Sequence, residues 1–232
     1  MQSKSIGRAA HSGFWCGVLL PGAIAIALAV GMMQLVAAAG GPLSHHMGMH
    51  IVLMNVLAPA AAFLTCDAAV ARFPRLTRGR WLVVVTSAQI AALWIAHAPA
   101  VLAWSSSSDL ASAFTQLGLF ASATWFWLAV LAQRGSRQWR ALVALLLTGK
   151  LFCLLAALLV FAPRALYVVR PSDLHVHHAA SLSLSDQQLA GLLMVVICPL
   201  TYVVAAIMIS ARMLRDLAAS DLAPLGPSRN PR

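Results

Sequence analysis

Histidine and methionine side chains cluster at the start of one long apolar segment. His45, His46 and His50 stand there with Met47, and Met54 follows one turn later. Residues three or four positions apart share a helix face, so His46 aligns with His50, and Met47, His50 and Met54 form a neighbouring stripe. Imidazole binds copper, zinc, iron and nickel, whereas thioether sulfur selects Cu(I). The mixture favours a copper site, with ordinary helix packing as the alternative.

A further histidine, His97, lies inside another apolar segment. It stands about seven residues below the outer end of that segment, or roughly 10 Å at the rise of a helix. An ionisable side chain at this depth is costly unless it has a partner, and it commonly marks a functional site. Pro99, two residues later, removes a backbone donor and is expected to loosen the helix. A hydrogen bond between helices is the alternative role for His97.

Asp186 and Met194 lie at the start of the last apolar segment. Ser185 and Gln188 fit a capping box, and Asp186 is also a good helix cap, so capping is one interpretation of this carboxylate. The other is that Asp186 lies at the depth of the first cluster and either binds a metal or orients a histidine. Met194, two turns further in, would then face the cavity that contains His97.

A second histidine cluster occupies the last loop before that segment. His175, His177 and His178 form a short His-rich run in polar sequence. Such runs often bind metal ions weakly. We therefore expect either a low-affinity capture site or a solvated loop without a metal.

The elements that must position these residues are transmembrane helices. The chain has 232 residues, 61% apolar and 9% charged, which excludes an ordinary soluble domain. We predict an all-α, polytopic helix bundle, a single domain over residues 1–217 followed by a disordered cytoplasmic tail, 218–232. A spanning helix needs roughly 20 apolar residues, and six segments qualify: 14–39, 47–71, 81–104, 110–132, 139–163 and 188–211. The first is longer than the apolar core of a signal peptide, so we expect it to remain uncleaved.

The basic residues are distributed unevenly between the two sides of this bundle. Thirteen of the 16 Lys and Arg residues fall on one side, together with both termini. The positive-inside rule places that side in the cytoplasm of a bacterial inner membrane. Seven of the eight histidines then fall on the opposite, periplasmic side. Membrane insertion explains the net charge of +10, so no nucleic-acid partner is expected.

The ordered set of motifs resembles a known family. His46, Met47, His50 and Met54 with Pro59, then Trp94, His97 and Pro99, then Asp186, Gln187, Gln188, Gly191 and Met194 resemble the CtaG-type cytochrome c oxidase assembly factors. The resemblance covers the second, third and sixth spans. It would lead us to expect another histidine at the outer start of the fourth span, where this chain has Asp109, Thr115 and Gln116.

The resemblance implies a membrane factor that holds or delivers copper for a haem-copper oxidase. The expected partners are an oxidase subunit, a periplasmic copper chaperone and the lipid bilayer. The expected site contains His46, His50 and His97, with Met47, Met54, Met194 and Asp186 as further ligands or orienting groups. The chain has no G-x-S-x-G, P-loop or HExxH motif, so we do not expect an enzyme. The alternatives are a copper uptake permease, a haem-binding electron carrier and a structural scaffold.

Overall fold

The computed structural model describes residues 27–28, 30–34, 38, 40–167 and 184–221, with side chains of the last helix described as far as Ala218. The predicted all-α class is confirmed, since this part of the chain contains helices and no strand. We number the complete helices in chain order: α1 (Pro42–Ile51), α2 (Ala58–Arg72), α3 (Gly79–Ala96), α4 (Pro99–Ser105), α5 (Asp109–Leu131), α6 (Gln138–Phe161) and α7 (Leu184–Asp221). A π-helical segment, Val52–Leu57, joins α1 to α2, and short 3₁₀ turns at Pro74–Thr77 and Gly135–Arg137 precede α3 and α6.

Five stretches of the described chain are long and apolar enough to cross a membrane. They are Pro42–Arg72, Gly79–Ala96, Asp109–Leu131, Gly135–Phe161 and Leu184–Ala218. They correspond to the second to sixth predicted spans, so the chain is a multi-pass membrane protein. The first predicted span, 14–39, lies largely outside the described residues. The last helix continues to Asp221 and so includes the first four residues of the tail that we expected to be disordered.

The third span is interrupted, where the sequence predicted one helix over residues 81–104. Helix α3 ends at Ala96, and α4 begins at Pro99. Proline lacks an N–H and disfavours helical geometry in the residue before it, and Ala98 is accordingly extended, with φ −64° and ψ 135°. Pro99 thus breaks the helix instead of only loosening it, and the break places His97 at the C-terminus of α3.

A π-helical segment begins two residues after His50. In the π-helical pattern the amide of residue 59 would donate to the carbonyl of Met54, but Pro59 has no N–H. The indole Nε1–H of Trp127, on α5, donates to that carbonyl at 3.2 Å instead. The wide turn is therefore held by a side chain from a neighbouring helix. π-Helical turns occur frequently at functional sites, and this one closely follows the histidine cluster.

The core of the bundle is built around Tyr202 on α7. Its ring stacks on Trp127 with centroids 5.4 Å apart and lies edge-on to Phe152 at 5.6 Å. Its hydroxyl accepts a hydrogen bond of 2.9 Å from the amide of Gln89 on α3. Helices α3, α5, α6 and α7 therefore meet at one buried phenol. This packing fixes the relative positions of α3, which ends before His97, of α5, which carries Gln116, and of α7, which carries Asp186.

The arginine-rich loops meet at one end of the bundle. Arg134, after α5, forms an ion pair of 2.8 Å with Asp67, near the end of α2. The buried side chain of Gln133 donates to the carbonyl of Leu76 at 3.1 Å, which joins the same two regions. Helix α3 begins at this arginine-rich end and ends before His97. The histidine cluster consequently lies at the opposite end, as the charge distribution predicted.

Gly191 allows α7 to approach α6 closely. A Cβ at this position would lie 2.8 Å from Val160 Cγ2 and 3.0 Å from the carbonyl oxygen of Ala156. We expect Gly191→Ala to lower the unfolding free energy by about 1–3 kcal/mol, because overpacked interfaces must shift. Gly118→Ala is the control, since nothing lies within 4 Å of a Cβ there. Thermal unfolding in detergent should show a lower Tm for the Gly191 variant than for the control; equal Tm values would contradict the close packing.

Candidate metal site

Three histidine rings lie together where α1 meets the end of α3. The ring centroids of His46 and His50 are 4.3 Å apart, and those of His50 and His97 are 5.6 Å apart. His46 and His50 are one helical turn apart on α1, as the sequence predicted. His97 joins them because the Pro99 break ends α3 at this level. His50 and His97 are buried, at 3% and 4% exposure.

His97 directs a ring nitrogen at the sulfur of Met47. Its Nδ1–H donates to the carbonyl of Leu93 at 2.7 Å. Because a carbonyl can only accept, the neutral ring carries its proton on Nδ1 and has a lone pair on Nε2. That Nε2 lies 3.1 Å from Met47 Sδ, which also has lone pairs and no proton. Two donor atoms facing each other without a proton between them are suited to a soft cation.

His50 has the same tautomer, fixed by a different partner. Its Nδ1 lies 2.9 Å from the amide oxygen Oε1 of Gln116 on α5, to which it donates. Its Nε2 is buried and has no hydrogen-bond partner, and the same is true of His46 Nε2. Metal-binding histidines usually donate their other N–H to a carbonyl or carboxylate. Gln116 and the Leu93 carbonyl serve that purpose for His50 and His97.

Asp186 holds the helix that carries the first two histidines. Its carboxylate accepts hydrogen bonds from the amides of Gly41 and Leu43, each at 2.9 Å, and from both the amide and the hydroxyl of Ser44. The first amides of a helix lack partners within the helix and attract negative charge. Gly41 is required for this approach, since a Cβ there would lie 2.6 Å from Asp186 Oδ2. Asp186 thus caps α1, whereas the sequence suggested a cap for its own helix.

The residue after Asp186 fixes the end of α6. Gln187 is 1% exposed, and its amide donates to the carbonyl of Leu159 at 3.1 Å and accepts from the amide of Leu166 at 2.7 Å. Next to Leu166, the hydroxyl of Tyr167 donates to the carbonyl of His97 at 3.0 Å. Burial raises the pKa of Tyr167, so its hydroxyl stays protonated at neutral pH. This contact satisfies a carbonyl that the Pro99 break leaves without a helical donor.

The other predicted site residues lie further from the rings or outside the described chain. Met54 and Met194 are buried, at 1% and 2% exposure, but among the described methionines Met47 is the one whose sulfur lies at hydrogen-bonding distance from a histidine nitrogen. His45 is exposed. The loop histidines, His175, His177 and His178, lie outside the described residues.

Within the described chain, no three His, Cys, Asp or Glu side chains already surround one metal position. The group that the structure brings together consists of three imidazoles and one thioether. Neighbouring ring centroids lie 4.3 and 5.6 Å apart, so the three imidazoles are grouped within one small region. The arrangement fits an ion that is held by few, adaptable ligands.

Several residues that position the site were not identified from sequence. Gln116 was named from the sequence only because the family resemblance predicts a histidine in that region. Ser44 and Tyr167 belong to no recognisable motif. A polar residue within an apolar spanning segment was the available signal for Gln116, because such residues need a partner. Nothing local to Ser44 or Tyr167 indicates that their partners lie more than 60 residues away along the chain.

Gln116 provides the first test of the site. We expect Gln116→Leu to weaken Cu(I) affinity by about 10- to 100-fold, because His50 loses the acceptor that fixes its tautomer. Gln116→Glu keeps an acceptor oxygen and should restore most of the affinity. Gln133→Leu is the matched control, since it removes a buried glutamine from the arginine-rich end. A Cu(I) competition titration measures the affinity of all three variants. If Gln116→Leu binds Cu(I) as tightly as the wild type, Gln116 does not support the site.

One family model matches the chain over most of its length. The model is described as cytochrome c oxidase caa3 assembly factor (Caa3_CtaG), and it matches residues 14–216. The matched range contains the three clustered histidines, Met47, Gln116 and Asp186. No curated protein and no solved structure matches the chain.

Proposed function

Since the chain belongs to the cytochrome c oxidase caa3 assembly factor family, we propose that it holds Cu(I) as cargo at its His/Met cluster and passes it to a haem-copper oxidase subunit. Assembly of the oxidase is the activity of the family; copper as the cargo is our proposal. The observation that carries it is the pair formed by His97 Nε2 and Met47 Sδ, 3.1 Å apart with no proton between them.

The donor set supports Cu(I) over harder ions. Thioether sulfur selects soft cations, and neutral imidazole binds copper through an unprotonated nitrogen. The Nε2 atoms of His46 and His50 are buried without partners, which is costly for an acceptor unless a ligand compensates. A cation coordinated by these nitrogens would remove that cost. Asp186 and Gln116 hold the helix and the ring in place, so the site is prepared before the ion arrives.

The proposed site has few strong ligands, and this favours transfer of the copper ion to the oxidase. An incoming cysteine or histidine of the oxidase can replace one ligand at a time, with the ion held throughout. Met47 is the first ligand that we expect to be replaced, because a flexible thioether binds more weakly than thiolate or imidazole. We place this exchange on the periplasmic face of a bacterial inner membrane, opposite the arginine-rich end.

Deletion of the gene, followed by complementation, tests this function. Cells with the wild-type protein should contain active caa3-type oxidase with its full copper content. Cells with the variant His46→Ala/His50→Ala/His97→Ala should contain oxidase subunits with little copper and low activity, while His45→Ala, at an exposed position in α1, restores both. If the oxidase has its full copper content in cells with the triple variant, the proposal of copper delivery is wrong. The protein would then act as a scaffold, through protein contacts alone.

Two other functions predict different results in the same strains. A copper uptake permease would change the copper content of the cytoplasm, which is measured by accumulation in sealed vesicles. A haem-binding electron carrier would give the purified protein a Soret absorption band. Oxidase copper that depends on the cluster, without vesicle accumulation or a Soret band, distinguishes cargo delivery from both.

A further inference from the structure

A groove opens on the outer face of the bundle, at the arginine-rich end. It has a volume of about 290 Å³ and is lined by Arg75, Trp81, Val84, Val85, Ala88, Ser122 and Trp125. Apart from Arg75, these residues come from α3 and α5, the helices that form its walls. Because both helices span the membrane, this groove faces lipid and not water. Its lining is mostly apolar: Arg75 and the two tryptophans lie at the end nearest the loop, and the hydroxyl of Ser122 donates to the carbonyl of Leu119 at 2.9 Å.

Arg75 is held over the mouth of the groove by aromatic rings. Its guanidinium carbon lies 4.7 Å from the ring centroid of Trp81 and 5.7 Å from that of Phe73. Cation–π contacts of this kind restrain a side chain that would otherwise be mobile. The guanidinium itself has no acidic partner among the ion pairs of the described chain. The indole Nε1 of Trp81 is buried and has no hydrogen-bond partner.

The surface around the groove has an excess of positive charge, which favours an anionic ligand. Nine arginines of the described chain lie at this end of the bundle, at positions 72, 75, 78, 80, 134, 137, 140, 212 and 215. Three aspartates of the described chain accompany them, at positions 67, 216 and 221, and Asp67 is paired with Arg134. An anionic group therefore meets an excess of positive charge at the height of the loops. Below that height the groove is mainly aliphatic and aromatic, with Ser122 as its one polar residue.

We propose that this groove binds one anionic phospholipid of the leaflet at the arginine-rich end. Its phosphate pairs with Arg75, and an acyl chain lies along Val84, Val85 and Ala88 between α3 and α5. Tryptophan rings at the groove mouth match the boundary between headgroups and hydrocarbon. Basic pockets between spanning helices bind anionic headgroups in this way. The lipid fills the space between two helices that hold His97 and Gln116, and so supports the packing on which the opposite end depends.

The proposal is tested by lipid binding to the purified full-length protein. Native mass spectrometry measures retention of phosphatidylglycerol against phosphatidylcholine. We expect the wild-type protein to retain phosphatidylglycerol in preference to phosphatidylcholine. Arg75→Gln should weaken the binding of phosphatidylglycerol by about fivefold, which is the effect of one basic residue near an anionic surface. Arg78→Gln is the matched control, because it removes the same charge from the same loop without touching the groove.

A second variant tests the acyl chain position without changing the charge. Ala88→Trp fills the groove, whereas Leu147→Trp places the same ring on a lipid-exposed face of α6. Loss of phosphatidylglycerol in Ala88→Trp alone supports the groove. Equal losses in Arg75→Gln and Arg78→Gln, unchanged binding in Ala88→Trp, or equal retention of both lipids would each overturn the proposal.

Discussion

Replacing His50 and His97 together by alanine should abolish tight binding of Cu(I). The two rings lie with their centroids 5.6 Å apart, the Nδ1 of each donates to another acceptor, and His97 Nε2 also faces Met47 Sδ at 3.1 Å. Without them, His46 and Met47 remain as isolated ligands, which cannot hold an ion that prefers several soft or borderline donors. We expect the affinity to fall by more than about 100-fold, beyond the loss seen when only a supporting residue is removed. Competition titration of the detergent-purified protein measures it.

His45→Ala is the control for this loss. His45 is an exposed neighbour on the same helix, so its removal tests whether any nearby imidazole contributes. The folded state of each variant is checked by its Tm and far-UV circular dichroism. If the double variant unfolds cooperatively and still binds Cu(I) as tightly as the control, the cluster is not the site.

The second large effect is expected at Asp186. Its carboxylate accepts three backbone amides at the start of α1 and the hydroxyl of Ser44. Asp186→Ala leaves the three amides without this acceptor, while the hydroxyl of Ser44 keeps the backbone carbonyl of residue 186 at 3.1 Å. Hydrogen bonds to charged groups contribute about 1.5–3 kcal/mol each. Because these bonds are not additive, we expect a total loss of about 3 kcal/mol in the free energy of unfolding. Thermal or denaturant-induced unfolding in detergent measures it.

The same substitution should also disturb the histidine cluster. His46 and Met47 follow shortly after the capped residues of α1. If the start of this helix loses its cap, we expect both side chains to shift. Asp109→Ala is the control, since Asp109 lies in the first turn of α5 and is exposed. A stable Asp186→Ala protein with unchanged Cu(I) affinity would show that this carboxylate neither caps α1 nor supports the site.

The helices were predictable because a membrane imposes a simple requirement on sequence. A spanning helix must be apolar over about 20 residues, and five stretches of the described chain meet this requirement in the regions of the second to sixth predicted spans. The interruption after Ala96 was only partly predictable. Pro99 indicated a weak point, but whether proline kinks a helix or ends it depends on which donor satisfies the freed carbonyl. Here the hydroxyl of Tyr167, a distant residue, donates to the carbonyl of His97.

The site was predictable to the extent that it is local. His46 and His50 share a face because they are one turn apart, and the depth of His97 indicated that it needs a partner. The pairing of His97 with Met47, of His50 with Gln116, and of Asp186 with the start of α1 joins residues 50 to 145 positions apart. A single sequence contains no direct record of such contacts, because they arise from helix packing.

X-ray absorption at the copper edge of the Cu(I)-loaded protein identifies the atoms that bind the ion. We expect mixed coordination by imidazole nitrogen and one sulfur, with the sulfur contribution lost in Met47→Leu and retained in Met54→Leu. Met47 and Met54 are both buried in the same span, so the pair separates a ligand from a core methionine. Copper without a sulfur ligand, or a sulfur signal unaffected by Met47→Leu, would contradict the proposed site.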